Sequence, residues 1–211
     1  MDKSIIKNKP NIINRPLYDK CIWPFVNKPV VKVITGMRRV GKSYFLRQVI
    51  AGLVEKGVSK THIIYIDKDS LESDFIKTYK DLDKFLQSKI QNIKKKNPCY
   101  LFIDEVQKIS QWEKAINSYL NNELFDIYIT GSNAHLLSSE LATYISGRYI
   151  EIPIHALSYQ EFLQFHHLKS NEDTLLKYIR YGGLPFITNL ELTDEIVYGY
   201  FKCHNKDGKL Q

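Results

Sequence analysis

Cysteine is scarce in this sequence, and what there is does not pair. The chain of 211 residues has only Cys21, Cys99 and Cys203, odd in number and far apart. That excludes a disulfide framework and a zinc-ligand spacing, and points to thiols in a reducing compartment. No apolar run is long enough to span a bilayer. The first residues, MDKSIIKNKPNIINRP, lack the continuous apolar centre of a signal peptide. Internal repeats and low-complexity tracts are also missing. The expectation is a soluble, cytoplasmic protein with no membrane association.

What the sequence does have is a core. Hydrophobic residues make up 44% and recur along the whole length, which argues against disorder. The net charge of +7 is uneven, with 13 Lys or Arg against 3 acids in residues 1–60. Such a surface suits an anionic partner: a nucleotide, a nucleic acid or an acidic protein. A Lys-rich solvated surface accounts for the same charge.

Short β-branched runs alternate with longer helical patterns. Strands are predicted at 30–35, 62–67, 99–104, 125–131 and 148–154. Helices are predicted at 43–57, 70–96, 111–122 and 134–145. This alternation implies an α/β fold of the P-loop NTPase type, with a five-stranded, mostly parallel sheet between helical layers. After Pro153 the pattern becomes helical, at 157–168 and 171–182, then breaks at Gly182-Gly183 and Pro185. The expected organisation is a core at 1–155, a small helical lid at 156–190 and a weakly structured tail at 191–211.

Residues 36–43 read GMRRVGKS, a full match to G-x-x-x-x-G-K-[ST]. The glycines let a loop curl so that backbone N–H groups face phosphate oxygens. The following helix adds its positive N-terminal end. Lys42 is expected on the β- and γ-phosphates, and the Ser43 hydroxyl on Mg²⁺. A strand precedes this loop and a helix follows, as the motif requires. The expected nucleotide-binding stretch is therefore Gly36, Met37, Arg38, Arg39, Val40, Gly41, Lys42, Ser43 and Tyr44. Within it the backbone faces the phosphates, so the side chains of Arg38 and Arg39 are expected to turn away. They either meet a neighbouring subunit or acidic segment, or form a solvated rim.

YLFIDEVQ (100–107) supplies a second motif. Asp104 ends an apolar strand and is expected to hold Mg²⁺ through water; Glu105 is expected to polarise the attacking water. The fourth strand ends in TGSN, where either Ser132 or Asn133 is a candidate γ-phosphate contact, or simply a helix N-cap. Arg148, between a helix and the fifth strand, is a candidate arginine finger for a neighbouring subunit or a helix-end cation. Tyr18, Trp23 and Phe25 border the base or pack in the core. Trp112 is expected to pack its helix on the sheet. His166 and His167 have no partner ligand in view.

The ordered set GMRRVGKS, FIDEVQ, TGSN, GRYIEIPIHALSYQEF and YGGLP resembles a family of prokaryotic AAA+-type ATPases, described as ATP-binding proteins related to archaeal ATPases. The similarity runs from about Arg15 to about Ile187. It implies an additional-strand P-loop domain with the Asp-Glu strand beside the P-loop strand. It also implies ATP and Mg²⁺ as cofactors. It carries roles onto Gly36, Gly41, Lys42, Ser43, Asp104 and Glu105, and further onto Ser132, Asn133 and Arg148. Members of the family usually continue into a winged-helix-like segment and a nuclease-like domain. The sequence here stops at Gln211 with no PD…(D/E)xK-like cluster, so no nuclease activity is expected.

Three functions compete on this reading. The first is a Mg²⁺-dependent ATPase that couples nucleotide state to conformational change or to a protein or nucleic-acid partner, with a homo-oligomer through Arg148. The second is a nucleotide-binding switch that does not hydrolyse. The third is a small-molecule kinase, against which stand the Asp-Glu strand end and the lack of an Arg-rich lid after the third strand. ATP over GTP follows from the resemblance and from the absence of a guanine-reading N-K-x-D stretch.

Overall fold

The structure is a computed structural model that describes residues 13–90, 98–131, 145 and 147–205, the last six by backbone alone. The chain divides into two compact units. One runs to Met37 and resumes over Lys42–Ile154; the other joins Arg38–Gly41 to the chain from His155 onward.

The first unit is a sheet of five parallel strands: β1 (Val31–Thr35), β2 (Ile63–Asp67), β3 (Cys99–Asp104), β4 (Phe125–Thr130) and β5 (Tyr149–Pro153). Their order is β2-β3-β4-β1-β5. The Asp-Glu strand β3 is therefore not beside β1, as expected; β4 lies between them. Among the described residues, four α-helices belong to this unit: α1 (Pro16–Ile22), α2 (Lys42–Glu55), α3 (Tyr79–Ile90) and α4 (Trp112–Asn121). The predicted helix over 134–145, apart from the buried Ile145, and the basic run 94–96 lie outside the described residues.

The period-2 alternation of strands sorts the core into two faces. Val31, Val33, Leu101, Ile103, Ile127 and Ile129 join one cluster with Leu82 and Leu86 of α3 and Trp112, Ile116 and Leu120 of α4. Trp112 thus packs its helix as expected. The residues between them in sequence, Lys32, Ile34, Phe102, Asp104, Tyr128 and Thr130, belong to the opposite face. Phe102 and Tyr128 stack there with ring centroids 4.4 Å apart. The buried Lys32 is matched by the buried Asp126: its ammonium pairs with Asp126 Oδ1, and Asp126 Oδ2 accepts from Asn27 N–H at 2.9 Å and Tyr128 O–H at 2.8 Å. Burial lowers the Lys32 pKa, and Asp126 opposes that shift.

The lead-in is fixed to α2. Tyr18 is buried 5.7 Å from the Phe45 ring, a core position. Gln48 accepts from Arg15 N–H at 3.1 Å and donates to Asp19 at 2.8 Å. The long helix predicted over 70–96 is shorter: a 3-10 turn at Leu71–Ser73 precedes α3. Thr78 bridges to Ser110 at the break, and its N–H and hydroxyl are held by Asp81, both at 2.8 Å. That local side-chain bonding competes with helix and starts α3 afresh.

The second unit contains α5 (Tyr159–Phe165), α6 (Glu172–Tyr181) and α7 (Asp194–Asn205). Ser158 and Glu161 form a capping box at α5, and Asn171 with Thr174 does the same at α6. Gly183 has to be glycine: a Cβ there would lie 2.3 Å from Leu157 O, while Leu157 N–H donates to Gly183 O at 2.6 Å. Where weak structure was expected, α7 forms, with Asp194 and Glu195 in its first turn. Its Val197 is buried with Tyr181 and Ile187. Among the described residues no helix is long and apolar enough to cross a membrane.

Candidate functional site

The C-terminal ends of β1, β3 and β4 bring the two sequence motifs together. β1 ends at Thr35, the loop follows, and α2 starts at Lys42. Backbone curvature is concentrated at Gly36 (φ 140°), Arg39 (φ 70°) and Gly41 (φ 101°). The first and last are glycines, for which such angles carry little steric cost. Arg39 is not, and it holds a left-handed backbone in the middle of the loop. Arg38 and Arg39 are both exposed, as are Met37 and Tyr44, while Val40 is buried.

The Lys42 side chain is only 5% exposed. Its ammonium donates to Gly36 O at 3.0 Å and Met37 O at 3.1 Å and stands 4.0 Å from Glu105 Oε1. The loop carbonyls and the Glu105 carboxylate thus hold the cation at the loop's base.

Asp104 is 2% exposed and multiply hydrogen-bonded. Thr130 Oγ1 donates to its Oδ1, Tyr65 O–H donates to its Oδ2 at 3.2 Å, and the Ser43 hydroxyl also bonds to it. Burial pushes the Asp104 carboxyl above the ordinary aspartate range; the Ser43 and Thr130 bonds oppose this, and the neighbouring Asp67 charge adds to it. Asp67 is there because β2 and β3 end in register, Asp67 opposite Asp104.

Thr130 was not singled out in the sequence, and it is the joint of the site. It is fully buried at the end of β4, opposite Ile34 of β1. Its hydroxyl donates to Asp104 and accepts the Glu105 N–H at 3.0 Å. Glu105 itself has φ 57°, a left-handed backbone that is uncommon for a residue with a Cβ. Its Oε2 accepts from Gln107 Nε2. Tyr65 was missed as well. It is coupled to Arg47 on α2, which also stands over the Tyr44 ring at 5.6 Å. Burial, Asp104 and Asp67 all push the Tyr65 hydroxyl pKa upward, so it remains a donor.

Ser43 and Asp104 offer one hydroxyl and one carboxylate. Among the described residues no group of three or more His, Cys, Asp or Glu forms a metal cage. A sparse, hard-oxygen donor set next to a phosphate-type loop fits Mg²⁺, which keeps waters and takes phosphate oxygens as ligands.

The remaining candidates lie elsewhere. Ser132 and Asn133 fall outside the described residues. Arg148 precedes β5, at the end of the strands opposite the loop, because β5 runs parallel to β1 with Val31 opposite Tyr149. Its guanidinium donates to Asn121 and, at 2.5 Å, to Asn117, both on α4. These side-chain amides are partners other than a neighbouring subunit or helix-end carbonyls. His166 is partly buried against Phe162, and His167 is exposed.

Residues 28–163 match a family model described as an AAA domain. An uncharacterised protein of Haemophilus influenzae is 37% identical over 196 residues, covering 90% of this chain and 48% of its own length. An uncharacterised protein of Methanocaldococcus jannaschii is 36% identical over 202 residues, covering 90% of this chain and 42% of its own. The chain thus spans about half the length of these curated relatives. Among solved structures, AMPPCP-bound DnaA from Aquifex aeolicus superposes with TM-score 0.52 at 15% identity, over 92% of this chain and 62% of that one. A DNA polymerase III gamma subunit-related protein from Thermotoga maritima gives 0.52 at 14%, over 94% and 64%. Saccharomyces cerevisiae Hsp104 in its casein complex gives 0.53 at 13%, over 84% and 36%. At these identities the likeness establishes the fold.

Proposed function

We propose, from the premise that this chain belongs to the AAA domain family, that it binds ATP and hydrolyses it with Mg²⁺. The observation that carries this reading is the Thr130 hydroxyl, bonded at once to the Asp104 carboxylate and to the Glu105 amide. One buried group fixes a metal-type carboxylate and a base-type carboxylate beside a P-loop lysine. A module that only binds nucleotide has no use for the second carboxylate. The AMPPCP carried by the DnaA structure supports ATP as the ligand.

In this reading the backbone of Gly36–Ser43 wraps the phosphates and Lys42 moves from the loop carbonyls onto them. Asp104 and Ser43 would hold the Mg²⁺, which supplies charge neutralisation on the phosphates. Glu105 takes a proton from water as its oxygen attacks the γ-phosphorus. The bond from that phosphorus to the bridging oxygen breaks, and ADP and phosphate leave. The ionised Glu105 is the competent form.

Ser132 or Asn133 would complete the γ-phosphate side. Arg148 lies at the opposite end of the strands from its own loop, so its role as a finger requires a second copy, with Asn117 and Asn121 holding it in the free chain. A partner driven by the nucleotide cycle, protein or nucleic acid, and a cytoplasmic location belong to the same proposal. So does the division into a core at 1–155, a helical lid at 156–190 and a tail.

The test is steady-state ATP turnover with Mg²⁺, alongside nucleotide binding, in the natural chain, Glu105→Gln and Lys42→Ala. Turnover lost in both, with binding kept only in Glu105→Gln, is the expected result. Binding without turnover in the natural chain would replace this reading with that of a nucleotide-dependent switch.

A further inference from the structure

Resting on the ATPase reading, we infer that Gln107 is the positioning residue for Glu105, holding one carboxylate oxygen so that the other faces the phosphates. Three observations lead there. The first is the contact itself. Gln107 Nε2 donates to Glu105 Oε2, while Glu105 Oε1 is the oxygen that stands 4.0 Å from the Lys42 ammonium. The two oxygens are thereby distinguished: one is taken by an amide, and the other is turned to the cation that marks the phosphate side. Once Lys42 engages a nucleotide, Gln107 is the side-chain partner that Glu105 keeps among the described residues.

The second observation is what the amide gives up. Gln107 Oε1 is buried and has no hydrogen-bond partner among the described residues. A glutamine placed for stability alone satisfies both ends of its amide. This one is held by its donor end only, in a pose that favours the carboxylate contact over its own acceptor. The donor assignment follows from chemistry: an ionised carboxylate only accepts, so the NH₂ end must face it.

The third is the backbone. Glu105 sits at φ 57°, and a 3-10 turn, Val106–Lys108, follows at once. Lys108 N–H closes the turn on Glu105 O at 3.1 Å. The reversal brings residue 107 back over residue 105, so that two side chains two positions apart meet. In an extended strand they would share a face of the sheet without this bond. The left-handed Glu105 therefore serves a purpose: it builds the clamp on its own carboxylate.

The chemistry is that of an oriented base. A carboxylate free to rotate about its side-chain torsions aims an oxygen at the attacking water for only part of the time. A donor fixed on the second oxygen removes that freedom, and since the hydrogen bond of Gln107 is to Glu105 rather than to a phosphate-binding group, its loss is expected to spare ATP binding. Its removal is therefore a kcat effect.

The experiment uses the full chain and Mg²⁺-ATP, with four variants: Gln107→Met, Gln107→Glu, Glu105→Gln and the double variant Glu105→Gln/Gln107→Met. Gln107→Met keeps the length and removes the donor. Gln107→Glu keeps length and polarity and sets a like charge against Glu105. Both are expected to bind ATP within about twofold of the natural chain and to lose about tenfold to a hundredfold in kcat. The double variant is expected to be no slower than Glu105→Gln alone, since a clamp has no effect once its carboxylate is gone. A structural role would instead subtract further in the double variant. Turnover of Gln107→Met within about twofold of the natural chain, a loss confined to KM, or additive losses in the double variant would each overturn the inference. So would failure of both single variants to fold, which would make Gln107 a structural residue. Absence of turnover in the natural chain removes the ATPase reading itself, and the clamp with it. Turnover that ignores Gln107 removes only the clamp.

Discussion

Thr130→Val deletes one oxygen and keeps nearly the same shape, which makes it a sharp test of the site's joint. The side chain is fully buried, so no solvent replaces what is lost. Two hydrogen bonds disappear. Asp104 loses its Thr130 donor but retains Tyr65 and Ser43. The Glu105 N–H loses the acceptor that stood 3.0 Å away. A hydrogen bond to a charged group contributes about 1.5–3 kcal/mol, and an orphaned donor costs about 1–3. With the carboxylate only partly deprived, the expected cost is about 3 kcal/mol. For a chain of this size that lowers Tm by about 6–12 °C. Thr130→Ser is the control. It keeps the hydroxyl and loses one buried methyl, for about 1 kcal/mol. Thermal unfolding should rank the natural chain above Ser and Ser above Val. ATP turnover should follow the same order, with Val at least about tenfold below Ser, because Glu105 loses the bond that sets its backbone. A Val variant as stable and active as the Ser variant would refute the reasoning. It would mean that Thr130 only fills volume.

Three other outcomes follow from the packing. Lys32→Met strands the buried Asp126 carboxylate and should cost about 3–5 kcal/mol in urea unfolding; a loss under about 1 kcal/mol would show that the ion pair is not needed. Gly183→Ala would force a Cβ to within 2.3 Å of Leu157 O, so soluble yield and Tm should both fall; an unchanged Tm would contradict the close approach. His166 has a lowered pKa through burial first and the His167 charge second. Its unfolded form, near 6.5, therefore takes up a proton before the folded form does. Its contribution to stability is full above that pH and is lost on acidification towards the folded value. The urea midpoint should drop between pH 7.5 and 5.5, and His166→Phe should flatten that drop.

Much of this was legible in the linear order. The loop and the Asp-Glu strand are motifs whose residues are contiguous, so their chemistry reads directly. The five strands read from their β-branched runs. What did not read were relations between segments. Thr130 looks like an ordinary strand threonine until β4 is placed between β1 and β3. The expectation of β3 beside β1 left no room for it. Tyr65 likewise reads as core until β2 ends level with β3. Gln107 meets Glu105 only because the backbone reverses at a non-glycine residue, and no composition signal marks that. The helix predicted over 70–96 failed at its start because Asp81 bonds to Thr78 and Lys77, a side-chain preference that a hydrophobic period does not register. α7 was missed because, among its described side chains at 194–199, Val197 is the buried one, which leaves little apolar period to read.

The strand order also bears on how the chain comes together in time. β2, β3 and β4 pair with near neighbours in sequence and can zip as they emerge. β1 cannot, because its partners are Tyr128 on one side and Ile150 on the other. Until β4 exists, five consecutive residues meant for the interior, Val31–Thr35, have no strand to pair with, and until β5 exists they are paired on one side only. Closing so wide a loop is entropically slow, and an unpaired apolar strand is an invitation to aggregation. The loop that follows β1 is thus among the last features to acquire its shape. A ligand that binds that loop adds its binding energy to the step that completes the sheet. Renaturation yield measured with and without nucleotide would then report on assembly of the central strand as much as on the loop itself.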